Sequence, residues 1–261
     1  MSPRLLAPVL TALALCACKR APSCFGELDR DDLYRMQKAI ADGQEPCPHW
    51  SRPRLVVDQA SVSLDGQVLA PRSSLPSGAA RRVDPLYFQL KTNREYWKQL
   101  HPSKPFEPQV RATLAGDLDA LAGISILTTT AYAGFPRMQV LAGGVAFSAY
   151  WAVPGPPSPD EEEQPVTLRV APDKDERYEW RIDGGPKKLP PSGGISRDLP
   201  ALLESVGEAC QPRPAPCAHI VELRFARGDF MQVATLARAL MGSRVFASRE
   251  PTLRLAGPGS P

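Results

Sequence analysis

One pattern occurs twice in this chain, in the same order, and it limits the fold more than any single motif. Residues 61–69 read SVSLDGQVL, in which Val62, Leu64 and Val68 alternate around Asp65-Gly66. Residues 178–189 read YEWRIDGGPKKL, with Trp180 and Ile182 before Asp183-Gly184. Alternating apolar residues around Asp-Gly predict a β-hairpin in each place. A helix is predicted next: Leu86, Leu90, Tyr96, Trp97 and Leu100 after Asp84, then Leu199, Leu202, Leu203 and Val206 after Asp198. A strand follows, VRATLAGD ending at Asp117 and VELRFARGD ending at Asp229, with each aspartate expected to cap the next helix.

FMQVATLARALMG puts Phe230, Val233, Ala237 and Leu240 on one stripe. LDALAGISILTTTAYAG is a weaker helix because of its β-branched run, and Gly134 and Pro136 end it. MQVLAG and LRLAG close the two stretches as strands. Hairpin Asp to helix Asp spans 19 and 15 residues, helix Asp to capping Asp 33 and 31, and capping Asp to last Leu 24 and 26. The expected fold class is α+β: two tandem two-layer β-β-α-β-α-β modules, over 54–153 and 166–257. PGPPSPDEEEQP, residues 154–165, is expected to be the solvated linker between them.

The first residues predict an address. Between Arg4 and Lys19 no residue is charged, and this run is too short for a membrane-spanning helix of roughly 20 residues. Leu15-Cys16-Ala17-Cys18 resembles a bacterial lipobox, with a large aliphatic residue three before, and a small one directly before, the modified cysteine. Residues 1–17 are then a cleaved signal and Cys18 the lipidated first residue of the mature chain. Cys16 fits poorly, because Leu15 would occupy the small-residue position. Residues 18–53 read as a tether with one short helix in ELDRDDLYRMQKAIADG, where Leu33, Met36, Ala39 and Ile40 share a face. The expected partner is a lipid bilayer through acylated Cys18, with the body in the periplasm and the outer membrane favoured over the inner.

In an exported protein the four remaining cysteines suggest disulfides, and sequence proximity favours Cys24–Cys47 and Cys210–Cys217 among three possible connectivities. CPH places His49 beside Cys47, but no four-ligand cluster accompanies it, so no metal site is expected. With 31 basic and 28 acidic residues, the chain has no nucleic-acid footprint.

The run QVRATLAGD, helix, AGFPRMQVLAG resembles the periplasmic domain of the ExbD/TolR family of biopolymer-transport proteins. The resemblance covers residues 54–143 and, more faintly, 166–257. It implies binding of an envelope protein or of peptidoglycan, through pairing of sheet edges. The family's membrane helix carries an aspartate for proton-driven coupling; no acid lies between Met1 and Cys18 here, so that role does not carry over.

No catalytic motif is present: no GxSxG, HExxH, phosphate loop or dinucleotide turn, and His49, His101 and His219 lie far apart in sequence. No catalytic residue and no cofactor are assigned. Ser192-Gly193-Gly194 reads as a loop, Glu161 to Glu163 as a solvated acidic run, and Tyr87, Phe88, Tyr96 and Trp97 as core and helix-face packing. Tyr150-Trp151, just before the linker, is the candidate contact surface. The expected function is a non-enzymatic envelope module for binding or scaffolding. The alternatives are an exported enzyme whose site converges from distant residues, and a periplasmic inhibitor or chaperone-like protein.

Overall fold

The computed structural model describes residue 24 and residues 28–151, 166–172, 175, 177–183, 192–211, 217–243 and 252–256. The chain divides into two compact units, Met1–Cys47 and Pro48–Pro261. In the first, helix α1 (Arg30–Ala41) begins where Asp29 accepts a hydrogen bond from the Asp32 N–H and ends before Gly43, whose φ of 78° suits glycine.

In the second unit the chain runs through β1 (Arg54–Val57), β2 (Ser61–Leu64), β3 (Gln67–Pro71), α2 (Asp84–Leu100), β4 (Gln109–Leu114), α3 (Ala120–Tyr132), β5 (Arg137–Ala142) and β6 (Val145–Trp151). It continues through β7 (Thr167–Pro172), β8 (Tyr178–Asp183), β9 (Ser192–Ser196), α4 (Leu199–Cys210), β10 (Ile220–Arg224), α5 (Phe230–Met241) and β11 (Thr252–Ala256). The fold is α+β with a mixed sheet, and the described strands form one sheet in the order β3-β2-β1-β4-β5-β6-β11-β10-β7-β8-β9.

Strands 54–151 and 167–256 thus do not form separate sheets. The junction is β6, a strand beyond the expected hairpin-helix-strand pattern. The turn Gly143-Gly144, with φ of 50° and 89°, reverses the chain so that β6 pairs antiparallel with β5. The last two residues of β6 then pair in parallel with β11, Tyr150 with Thr252 and Trp151 with Leu253. On either side of β6 the pairing sequence is the same. In β3-β2-β1-β4-β5 and in β9-β8-β7-β10-β11 the first two contacts are antiparallel and the next two parallel.

Each stretch also holds a strand that was not expected, β1 and β7, ahead of its hairpin. RLVV, between Pro53 and Asp58, is too short for alternation to register. The first hairpin turns on Asp65 (φ 51°) and Gly66 (φ 86°), as the type I′ turn requires. The second returns through Ser192–Ser196, so Ser192-Gly193-Gly194 lies in a strand, not a loop. A Cβ on Gly193 would stand 2.8 Å from the Trp180 carbonyl oxygen, so this register with β8 needs glycine. Residues 184–191 and the linker 154–165 lie outside the described residues.

The four α-helices described in this unit pack on the same face of the sheet. Inward side chains of alternate residues, such as Val110, Ala112, Val140 and Phe147, then Leu168, Val170, Val221 and Leu253, join the helices in one core. Helix α3 is buried along nearly its whole length; it carries no charge, and its buried Ser125 and Thr130 hydroxyls donate to the Leu121 and Ile126 carbonyls of the turn before. It starts at Asp119, whose carboxylate accepts from the Leu121 and Ala122 N–H groups, and not at Asp117. Asp229 caps α5, as expected. The two caps meet: Asp119 and Asp229 form an antiparallel bridge in which the Ala120 N–H donates to Gly228 (2.9 Å) and the Phe230 N–H to Leu118 (2.6 Å). There Gly123 lets the Phe230 ring lie on α3; a Cβ would fall 2.1 Å from it.

Candidate binding surfaces

The predicted residues scatter. Cys18 and Glu161 to Glu163 lie outside the described residues. Both disulfides are formed, Cys24–Cys47 and Cys210–Cys217, with Cα separations of 5.8 and 5.3 Å. Tyr150 and Trp151 are divided by the period of two along β6: Tyr150 is 41% exposed, while Trp151 is 2% exposed and belongs to the core. Trp151 is therefore corrected from contact residue to core residue. Among the four helix aromatics, Trp97 is buried and stacks on His101 at 4.5 Å, but Phe88 is exposed.

The histidines do not converge. His101 is buried with Nδ1 3.0 Å from the Trp97 carbonyl, and the His219 backbone N–H donates to Val166. Among the described residues no three His, Cys, Asp or Glu side chains are grouped to hold a metal. No helix of the described residues is long and apolar enough to cross a membrane.

Asp117 has a different task from the one expected. Its carboxylate accepts from Gln59 Nε2 (3.1 Å) and Arg72 (3.2 Å), tying the turn after β4 to the β1–β2 connection and to the end of β3. The Arg72 guanidinium, followed by the Gln59 amide, holds this carboxyl below its ordinary range.

A cavity of about 1110 Å³ opens beyond the carboxyl ends of β7 and β10, lined by Tyr178, Arg197 and Arg227 and by Met231 in the first turn of α5. Open α/β sheets hold ligands in such a position. Of the carboxylates there, Asp198 accepts from the Ala201 N–H (2.8 Å) and Asp229 from the Gln232 N–H (3.0 Å), while Asp175 pairs with Arg177 (2.8 Å).

The sheet face away from these helices is polar and charged. On β7, β8, β10 and β11 its arginines are knitted to acids. Glu222, 3% exposed, contacts Arg224 (2.5 Å), Arg169 (3.5 Å) and Arg254 (3.5 Å). Asp183 contacts Arg169 (2.7 Å) and Arg181 (2.5 Å). On β4, β5 and β6 the same face holds a shallow depression of about 420 Å³, between Arg111, Thr113, Gln139, Leu141 and Ser148, with the short Ala146 within it. The described sheet ends in β3 and β9. In β9 nothing is charged and Ile195 is 65% exposed.

Comparison of this chain with family models, with curated proteins and with solved structures finds no match.

Proposed function

We propose that this chain is a cell-envelope lipoprotein, anchored through acylated Cys18, and that its body is a non-enzymatic module for binding or scaffolding in the periplasm. Its two stretches are read as ExbD/TolR-like units repeated in tandem, now as β-β-β-α-β-α-β. The identical pairing order on either side of β6 supports this repeat. The two disulfides are consistent with export. A polar sheet face opposite the four described α-helices of this unit, ending among the described strands in a glycine-containing uncharged edge strand, carries the binding reading. Such an edge has unpaired main-chain groups to offer an extended partner segment. The partner is an envelope protein or peptidoglycan, in an accessory role beside a Tol-like transport complex or at the wall.

The test is recovery of the lipidated protein from envelope fractions beside a Cys18→Ala form. The native chain is expected in the membrane fraction with a transport-complex or peptidoglycan-bound partner, and the variant in the soluble fraction. Turnover of an envelope substrate by the purified protein would overturn the reading.

A further inference from the structure

The two parts of the sheet are paired alike but charged differently on their outward side. Across β8, β7, β10 and β11 one row reads Arg181, Arg169, Glu222, Arg254, and its cations share Glu222 and Asp183. On β1, β4, β5 and β6 the outward residues include Arg54, Arg111 and Arg137 and no carboxylate. Arg54 is directly opposite Arg111, and Arg137 stands one strand further on, diagonal to Arg111. Like charges opposite one another destabilise a sheet. Among the described residues no ion pair offsets these three arginines, whereas β7–β11 show how such a row is neutralised from within.

The neighbours define what would neutralise this one. Gln139, directly opposite Ser148, and Thr113 bring amide and hydroxyl groups to the depression. Tyr150, directly opposite Arg137 and exposed, adds an aromatic side chain next to that arginine along the sheet. We propose that the outward face of β1–β4–β5–β6 binds an acidic polysaccharide strand. Its carboxylates or phosphates would pair with Arg54, Arg111 and Arg137, its hydroxyls with Gln139 and Ser148, and one sugar ring would lie in the depression with the next along the strand against Tyr150. An anionic bilayer suits this face less well. It has no lysine and only Leu141 and Tyr150 as large exposed apolar side chains to enter a headgroup layer, and a bilayer has no use for the depression. This inference rests on the binding reading above and gives it a ligand class.

The full chain in non-ionic detergent is titrated calorimetrically with polygalacturonate, with neutral dextran, and with phosphatidylglycerol vesicles. Polygalacturonate is expected to bind and dextran not to. Binding should weaken about tenfold or more in the combined Arg54→Gln, Arg111→Gln, Arg137→Gln variant, and Arg181→Gln on the neutralised part should leave it unchanged. Tyr150→Ala and Gln139→Ala, which alter no charge, should each weaken it as well, so the test survives if the triple variant folds poorly. Equal binding by the native and triple-variant chains, or vesicles bound in preference to polygalacturonate, overturns the inference. A chain that pulls down an envelope protein through its Cys18 anchor but ignores polygalacturonate overturns it too, and leaves the envelope reading intact. Binding of polygalacturonate by a chain whose location is indifferent to Cys18 supports it, and removes only the lipoprotein reading.

Discussion

Asp65 shows how one side chain can serve a turn and strain the charge balance around it. With Gly66 it supplies the two positive φ angles of the first hairpin, and its carboxylate accepts from the Arg54 N–H at 2.8 Å. Burial pushes its carboxyl above the ordinary range, against the opposing pull of that hydrogen bond and of His49. The folded chain therefore holds this proton more tightly than the unfolded one. Its contribution to stability is full below the unfolded value of about 3.9 and is lost as pH rises through the raised folded value. Asp65→Asn keeps a residue that tolerates this turn. It is expected to remove that slope and raise the melting temperature at pH 7, as scanning calorimetry at several pH values would read. Asp117 behaves oppositely. Its lowered carboxyl helps the fold above the unfolded value and ceases to do so as pH falls through the folded one. Arg72→Ala should move its titration, followed by NMR, back up toward ordinary carboxylates. The sequence made Asp65 legible because Asp-Gly between alternating residues has one common geometry. It misled at Asp117, because Asp119 stands two residues on and both precede the helix; the bridge to Asp229 selects the second.

At the scale of elements, the α3–α5 contact decides more than either helix's propensity. Gly123 lies inside α3, where alanine would favour a helix by about 1 kcal/mol. The Phe230 ring occupies the space a Cβ needs. Gly123→Ala is therefore expected to destabilise by about 1–3 kcal/mol in denaturant titrations. Combining it with Phe230→Leu should cost less than the sum of the two single changes, since the smaller side chain vacates that space. The Cys210–Cys217 loop is short, and removing both cysteines should cost about 2–3 kcal/mol by the loop-entropy account. Most helices and hairpins could be read from period and caps. VAFSAYW in β6 also alternates throughout, but it lies outside the repeated hairpin-helix-strand pattern. β9 could not be read so, because Ser-Gly-Gly has loop composition and only its approach to Trp180 makes it a strand.

For the whole molecule, the shared core matters most. Residues from β1 to β11 belong to one buried cluster, so Pro48–Pro261 is expected to unfold in a single calorimetric transition with equal calorimetric and van't Hoff enthalpies. Two transitions, one for each stretch, would contradict the described sheet. The repeat was legible at this scale because it rests on the order of motifs along the chain. The joining was not, because it depends on two residue pairs in parallel, Tyr150–Thr252 and Trp151–Leu253, which leave no local mark in sequence. The bridge between Asp119 and Asp229 has a further consequence under the proposed repeat. A position that touches its own counterpart lies on a two-fold axis, as in an isologous dimer. A gene fusion of two such subunits would preserve that contact, and either stretch made alone would carry a surface shaped to meet its own twin.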